Sequence, residues 1–254
     1  MTDLRHKVAL VTGSSRGIGA AVARCFAQHG ARVALHGRDL AALSAVRAEI
    51  EAAHGEALHV TGELTKFSDI EAMRQKIEAA LGPIDILVAN AGGSHTKPRL
   101  PLEETTEEGF RASIEGNLGA TFLTLKSVLP GMRARKAGSI ITLSSAAARR
   151  PNPASPLPYA AAKAAIELLT QHLAAEVGPY NIRVNCIAPE TILTESNQRD
   201  IPDAQKKALV ENHPLKRLGT PEDIAKAALF LASPDADWIS GVILDVAGGS
   251  VLVR

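Results

Sequence analysis

The stretch VALVTGSSRGIGAAVARCF, residues 8–26, joins an apolar run to a helical pattern through a turn that contains three glycines. The run VALV is short and continuously apolar, which is typical of a parallel strand covered on both faces. Gly13, Gly17 and Gly19 allow a tight turn and a close approach of the backbone to a ligand. Because amides at the start of a helix that follows such a strand bind phosphates, the stretch predicts a nucleotide-binding βα unit.

Six further apolar runs follow, and most are separated by longer helical patterns. They are RVALHG (32–37), ALHVTG (57–62), DILVANAG (85–92), SIITLSS (139–145), IRVNCIAP (182–189) and GVILDVAGG (241–249). Strands that alternate with helices predict an α/β fold, a Rossmann-type doubly wound domain with a mostly parallel seven-stranded sheet and helices on both faces. We find no linker or repeat, so we expect one domain over residues 1–254. Residues 190–215 are polar and contain two prolines, and we interpret them as a mobile helical excursion over the site.

Charge and cysteine content restrict the possible partners and compartment. The 254 residues include 28 basic and 27 acidic side chains, so nothing indicates nucleic acid or an anionic membrane as a partner. The only cysteines, Cys25 and Cys186, lie inside apolar patterns, which favours a reducing compartment over a disulfide framework. The N-terminal apolar run is too short for a signal peptide, and no stretch is long enough to span a bilayer. We therefore expect a cytoplasmic protein.

The stretch LPYAAAKAAIELL, residues 157–169, carries a candidate proton-transfer pair. Tyr159 and Lys163 are four residues apart, so in a helix their side chains share one face. A phenol with an ordinary pKa of about 10 exchanges protons poorly at neutral pH, and a nearby ammonium favours the phenolate. Such pairs are also common on exposed helix faces, so the assignment depends on the rest of the chain.

The order of several motifs resembles the classical short-chain dehydrogenase/reductase family. TGSSRGIG, the NAG of residues 90–92, the serine doublet in ITLSS and YAAAK occur in family order between about Lys7 and Gly249. The resemblance is closest in character to 3-oxoacyl-carrier-protein reductases. It implies an enzyme, an NAD(P)-dependent oxidoreductase that interconverts a ketone and a secondary alcohol, without a metal. The catalytic residues that it implies are Asn117, Ser145, Tyr159 and Lys163, with Ser144 as the neighbouring alternative to Ser145.

The resemblance also implies the residues that bind the cofactor. They are Gly13, Ser15, Arg16, Gly17, Ile18, Gly19, Arg38, Glu63, Leu64, Asn90, Ala91, Gly92, Tyr159, Lys163, Pro189, Ile192 and Thr194. NAD-binding chains commonly end the second strand with an acidic residue, whereas this chain has Gly37 followed by Arg38. Two guanidiniums, Arg16 and Arg38, without a carboxylate between them suit a 2′-phosphate. We therefore predict NADP(H) in preference to NAD(H), and interpret Asp39 as the N-cap of the next helix.

The substrate is less defined than the reaction. We expect a small carbonyl or alcohol, with a 3-oxoacyl thioester, free or carrier-bound, as the first candidate. Sugars, steroids and xenobiotic ketones are alternatives within the family, and a non-catalytic nucleotide-binding module is the alternative outside catalysis. His95 follows the fourth strand and is either a pocket or a surface residue. Glu190 replaces the glycine usual after Pro189, and the gap of 14 residues from Ser145 to Tyr159 is about one residue longer than the commonest family spacing. Family members are usually tetramers, so we expect a homotetramer, a dimer of dimers.

Overall fold

The computed structural model describes residues 3–94, 100–152 and 155–252. His95 lies outside the described residues, and so does part of the loop that precedes Tyr159. The described residues form seven strands: β1 Val8–Val11, β2 Arg32–His36, β3 Glu56–Val60, β4 Ile86–Ala89, β5 Gly138–Leu143, β6 Ile182–Pro189 and β7 Ile243–Val246. Each strand lies within one of the seven apolar runs or extends it by one residue, so the predicted strands are confirmed.

The strands form one sheet in the order β3-β2-β1-β4-β5-β6-β7. Every neighbouring pair in this order is parallel, so the sheet is wholly rather than mostly parallel. Strands β2 and β3 lie on one side of β1, and β4 lies on the other side. Ligands of such sheets bind beyond the carboxyl ends of the strands at this switch point, which lies between β1 and β4.

Helices cover both faces of the sheet. Their bounds are α1 Gly17–Gln28, α2 Leu40–Ala52, α3 Phe67–Leu81, α4 Glu107–Ile114, α5 Ala120–Arg135, α6 Ala146–Arg149, α7 Leu157–Val177, α8 Glu195–Asp200, α9 Asp203–Asn212 and α10 Pro221–Ala232. One core cluster contains Ala9 and Val11 with residues of α1, α2 and α10. The other contains Val8 and Leu10 with residues of α3, α5 and α7. Because successive strand residues point to opposite faces, β1 contributes to both clusters, as a continuously apolar strand requires.

A π-helical turn, Glu115–Gly119, joins α4 to α5. The sequence has asparagine between two glycines here, and these residues are poor formers of a helix interior. π-Turns within helices frequently occur at functional sites. The wider turn places Asn117 inside the protein, where its side chain is 0% exposed.

Helices α8 and α9 fill much of the segment 190–215, and the mobile excursion over the site stays a prediction. Within the described ranges, no helix combines the length and the apolar character that crossing a membrane would need.

Candidate active site

The glycine turn between β1 and α1 leaves no room for side chains. Gly13 has φ of +65°, and a Cβ added there would lie 2.9 Å from the Cα of Ala91. A Cβ added at Gly19 would lie 2.3 Å from the Gly13 carbonyl oxygen. These contacts explain why glycine is required at both positions.

Asn90 connects the two strands at the switch point. Its side-chain amide donates hydrogen bonds to the carbonyl oxygens of Thr12 (2.9 Å) and Gly13 (3.1 Å). The Thr12 hydroxyl in turn accepts hydrogen bonds from the backbone N–H groups of Asn90 and Ala91, both at 3.0 Å. This arrangement fixes the end of β4 against the glycine turn, and Thr12 was not among the predicted residues.

Two adjoining cavities open at the carboxyl ends of the strands. The β2-side cavity, about 430 Å³, lies beside the ends of β2 and β3. The Tyr159 cleft, about 370 Å³, lies beside the ends of β5 and β6. Both are lined by Gly13, Asn90 and Gly92, so they form a continuous groove across the switch point. An elongated dinucleotide fits a groove of this kind, with its phosphates at the glycine turn.

The structure distributes the sequence-predicted residues along this groove. Beside the three shared residues, the β2-side cavity is lined by Ser15, Arg38, Glu63, Leu64 and Ala91. The Tyr159 cleft is lined by Arg16, Gly17, Ile18, Gly19, Ser145, Tyr159, Lys163, Pro189, Ile192 and Thr194. Asn117 lines neither cavity.

The two arginines have different environments. Arg38 is exposed and lines the β2-side cavity. Arg16 forms an ion pair with the Asp39 carboxylate, which corrects the expectation that no carboxylate lies between the two guanidiniums. Asp39 also accepts a hydrogen bond from the Ala42 N–H at 3.0 Å, so its prediction as the N-cap of α2 is confirmed. These bonds, from Ala42 first and Arg16 second, lower the pKa of Asp39. A 2′-phosphate would therefore compete with Asp39 for Arg16 and would meet Arg38 directly.

His36, at the end of β2, was not predicted and connects three elements. Its Nε2 lies 3.0 Å from the Gly62 carbonyl oxygen, and its Nδ1 accepts a hydrogen bond from the Gly13 N–H at 3.4 Å. Because a carbonyl only accepts, Nε2 carries the proton and the imidazole is neutral. Burial lowers the pKa of His36, which favours the same neutral form. The histidine thus links the glycine turn to Gly62, which follows β3.

Tyr159, Ser145 and Lys163 meet at the end of β5. Tyr159 lies in the first turn of α7, directly after Pro158, and Lys163 lies one turn further along. The Lys163 ammonium donates a hydrogen bond to the Leu143 carbonyl oxygen at 2.8 Å and lies 5.7 Å from the centroid of the Tyr159 ring. Ser145 lines the same cleft as Tyr159, and its hydroxyl interacts with the phenol. The long gap between Ser145 and Tyr159 therefore does not separate their side chains.

Burial determines the proton affinities in this cleft. The pKa of Lys163 falls from 10.5 to about 8 because burial penalises the ammonium. The pKa of Tyr159 is raised, first by burial and further by the negative charge of Glu190, while the bond to Ser145 opposes the shift. Lys163 is not among the groups that shift the pKa of Tyr159, so the expected lowering of that pKa by the ammonium stays a prediction for the site with its cofactor bound.

Asn117 does not line the cleft, but it is hydrogen-bonded to Gly93, which does. Its side-chain amide donates to the carbonyl oxygens of Gly93 and Ser113, both at 2.9 Å, and its Oδ1 accepts from the Gly93 N–H at 3.0 Å. A Cβ at Gly92 would lie 2.5 Å from this Oδ1 and 3.5 Å from the Lys163 Nζ. Asn117 therefore fixes the backbone after β4 and lies beside the Lys163 ammonium.

A half-buried ionic network, also missed from the sequence, contacts Ser144, the first residue of the serine doublet. Arg149 contacts Asp245 at 2.9 Å and Glu167 at 3.0 Å, which joins α6 to β7 and α7. The Ser144 hydroxyl oxygen lies 2.7 Å from the Glu167 carboxylate and 3.1 Å from the Lys163 carbonyl oxygen, and these two acceptors share its single proton. Both serines line the cleft, but the Ser144 hydroxyl is occupied by this network, whereas Ser145 is the N-cap of α6 and its hydroxyl interacts with Tyr159. The geometry favours Ser145 over Ser144 as the residue that contacts a substrate.

A carboxylate occupies the phosphate position at the start of α1. The Gly17 N–H donates a hydrogen bond to Glu195, at the start of α8, at 3.1 Å. An anion at this position supports the fit of the site for a pyrophosphate, since amides and the helix N-terminus favour negative charge there. It also means that a cofactor must displace Glu195.

We expect Glu195→Gln to bind the cofactor more tightly, by about twofold to fivefold. Glutamine retains an acceptor oxygen and loses the charge that competes with the pyrophosphate for the Gly17 amide. Fluorescence titration of the two proteins with NADPH measures the difference. Glu222→Gln, in the first turn of α10, is the control and should leave the affinity unchanged; weaker binding by Glu195→Gln would show that Glu195 assists the cofactor instead.

Comparisons with known proteins agree with this geometry. A family model described as enoyl-(acyl carrier protein) reductase matches residues 13–250. The 7alpha-hydroxysteroid dehydrogenase of Escherichia coli (strain K12) is 38% identical over 249 residues, which cover 98% of this chain and 95% of that protein. The 3-oxoacyl-[acyl-carrier-protein] reductase FabG of Chlamydia muridarum (strain MoPn / Nigg) is 39% identical over 247 residues, 97% of this chain and 98% of that protein.

A solved structure shows the same fold with ligands. It is a 7 alpha-hydroxysteroid dehydrogenase in complex with NADH and 7-oxo glycochenodeoxycholic acid, 37% identical, with a TM-score of 0.92. The match covers 99% of this chain and 97% of that one. The family model and the relatives each span nearly the whole chain. The chain therefore belongs to the short-chain dehydrogenase/reductase family of NAD(P)-dependent oxidoreductases, which act on CH–OH and C=O groups.

Proposed function

We propose that this protein reduces a ketone to a secondary alcohol with NADPH, reversibly, and that Tyr159 is the proton donor. The observation that carries the proposal is that Tyr159, Ser145 and Lys163 line one cleft that continues into the groove beside the glycine turn. When bound, the nicotinamide of NAD(P)(H) supplies or accepts the hydride.

The side chains of the cleft divide the remaining work. Ser145 donates a hydrogen bond to the carbonyl oxygen of the substrate, and Tyr159 transfers a proton to the same oxygen as it gains negative charge. Lys163 stays largely protonated at neutral pH, because its pKa is about 8, and it stabilises the phenolate that Tyr159 becomes. Asn117, beside Lys163, belongs to the path that returns the proton from solvent.

We also propose that residues 190–215 act as a lid on a single domain. Support comes from Thr194 and Glu195, which lie against the glycine turn: a Cβ at Gly17 would lie 3.0 Å from the Thr194 Cγ2. Pyrophosphate binding would replace the contact of Glu195, so the segment would move when the cofactor enters.

The preference for NADP(H) over NAD(H) is part of the proposal and is supported by Arg38, which is exposed and lines the β2-side cavity. We expect Arg38→Gln to lower NADPH affinity about 10-fold to 100-fold and to leave NADH affinity unchanged, because only NADPH carries the 2′-phosphate that forms a charge-assisted bond. The measurement is thermal stabilisation of both proteins with NADPH and NADH side by side. Arg47→Gln, on the exposed side of α2, is the matched control. Stronger stabilisation of the parent protein by NADH would contradict the preference.

Several substrate classes agree with the cleft. A 3-oxoacyl thioester, free or carrier-bound, follows from the overall resemblance, and sugars, steroids and xenobiotic ketones are the alternatives. A non-catalytic nucleotide-binding module is the competing function, and the assembled Tyr159, Ser145 and Lys163 argue against it, because binding alone needs no proton donor. Absorbance at 340 nm over a panel of ketones separates the two: tight NADPH binding without any turnover would favour the module.

We propose a homotetramer, a dimer of dimers, in the cytoplasm. Apolar side chains are exposed on the helices beside the site, with Phe122 on α5 at 50% and Leu168 on α7 at 57%. Trp238, between α10 and β7, is 97% exposed. Exposed apolar groups on two separate surfaces suit two kinds of subunit contact. Light scattering of the full chain would measure the assembly.

A further inference from the structure

Glu190 lies at the junction of two cavities. It follows the last residue of β6 and lines the Tyr159 cleft. It also lines a neighbouring cavity of about 320 Å³ beside the end of β7, called here the β7-side cavity. The side chain is only 14% exposed, so a carboxylate stands between the reaction site and a second space that is large enough for part of a substrate.

The carboxylate of Glu190 is incompletely satisfied. Its Oε1 accepts a hydrogen bond from the Thr191 hydroxyl at 3.3 Å. Its Oε2 is shielded from solvent and has no hydrogen-bond partner among the described residues. The Arg150 guanidinium is 3.6 Å from Oε2, too far for a hydrogen bond. Leaving a buried carboxylate oxygen without a donor costs free energy, which a donor on a ligand would recover.

The β7-side cavity contains a second unsatisfied polar group. His213 is 4% exposed, and its Nδ1 lies 2.6 Å from the Leu209 carbonyl oxygen, so Nδ1 donates to that oxygen. Its Nε2 has no partner within the described part of the chain. The other carboxylates of this cavity are paired, Asp223 with Arg217 and Asp245 with Arg149. The unsatisfied carboxylate oxygen of Glu190 is therefore the acceptor that a ligand can satisfy, and it requires a ligand that donates a hydrogen bond.

We propose that Glu190 is a specificity-determining residue that accepts a hydrogen bond from a hydroxyl group of the substrate, close to the reacting carbon. The substrate is then a hydroxylated ketone or its diol, with its polar end directed toward the β7-side cavity. A neutral hydroxyl suits the position better than an ammonium, because the Arg150 guanidinium already lies beside the carboxylate. The inference rests on the proposed ketone reduction, and it favours hydroxylated substrates over 3-oxoacyl thioesters, whose carbonyl region has no hydroxyl donor.

Calorimetric titration tests this inference through binding alone. The full chain, saturated with NADP⁺, is titrated with cyclohexane-1,2-diol and with cyclohexanol, which differ by one hydroxyl group. We expect the diol to bind about 10-fold to 100-fold more tightly, because a hydrogen bond to a charged group discriminates by this amount. The difference should disappear in Glu190→Ala and persist in part in Glu190→Gln, whose amide oxygen still accepts.

Two further variants complete the experiment. Glu51→Gln, an exposed carboxylate of α2 that pairs with Arg47, should keep the full preference for the diol. Glu190→Gly introduces the glycine that is usual at this position in the family. It should lose the preference for the diol, as Glu190→Ala does. Equal binding of diol and cyclohexanol by the parent protein, or a preference that survives Glu190→Ala, would overturn the inference. Failure of the proposed function would be seen separately, as absence of turnover on the ketone panel.

Discussion

Tyr159→Phe is expected to lower kcat for ketone reduction about 10²-fold to 10⁴-fold and to leave NADPH affinity nearly unchanged. The substitution removes only the phenolic oxygen, which is the proton donor, and keeps the ring that packs beside Lys163. Stopped-flow or steady-state absorbance at 340 nm measures kcat, and fluorescence titration measures the affinity.

The chain offers a matched control for this prediction. It contains only two tyrosines, and Tyr180 lies after α7, with the Arg133 guanidinium 5.0 Å from the centroid of its ring. Tyr180→Phe should retain full activity. If Tyr159→Phe retained most of the activity as well, Tyr159 would have no role as proton donor.

Lys163→Met is expected to remove most of the activity and, at pH 7, to raise the free energy of unfolding by about 1–3 kcal/mol. Burial lowers the pKa of Lys163 from 10.5 to about 8, so at pH 7 the folded protein holds a desolvated ammonium that the unfolded chain would solvate. Methionine has a similar length and no charge. The lost hydrogen bond to the Leu143 carbonyl oxygen offsets part of the gain.

The stability gained by Lys163→Met is expected to depend on pH. Between pH 8 and pH 10.5 the unfolded chain binds more protons at Lys163 than the folded protein does, so stability rises with pH over this window. The destabilisation caused by the buried Lys163 ammonium is fully present below pH 8 and is lost above pH 10.5. The advantage of Lys163→Met should therefore shrink as pH rises from 8 to 10. Urea unfolding at several pH values measures it, with Lys207→Met on exposed α9 as the control. A variant less stable than the parent at pH 7 would show that the hydrogen bond outweighs desolvation.

The local parts of the fold were predictable because they depend on short patterns. Continuous apolar runs predicted the strands, since buried parallel strands have no polar face to alternate. Asparagine and glycine are poor formers of a helix interior, and the π-turn with Asn117 lies where they cluster, between α4 and α5. The order of the motifs was enough to predict that Ser145, Tyr159 and Lys163 belong to one site, and all three line the Tyr159 cleft.

The parts that were missed depend on side chains distant in sequence. Arg16 meets Asp39 across 23 residues, and this pairing changes the charge available to a 2′-phosphate. Gly17 donates to Glu195 across 178 residues, and Arg149 reaches Asp245 across 96. The upward shift in the pKa of Tyr159 follows from burial and from Glu190, and the helical spacing of Tyr159 and Lys163 carries no information about either. Local periodicity predicts which face a side chain occupies, whereas such contacts depend on how the elements pack.

We expect Tyr159 to deliver the proton to the carbonyl oxygen of the substrate. A crystal structure of the full chain with NADP⁺ and a bound alcohol product tests it most directly. We predict that the Tyr159 hydroxyl lies within about 2.6–3.2 Å of the alcohol oxygen, with Ser145 on the same oxygen. A Tyr159 hydroxyl that points into bulk water, or an alcohol oxygen bound only by other residues, would contradict the account.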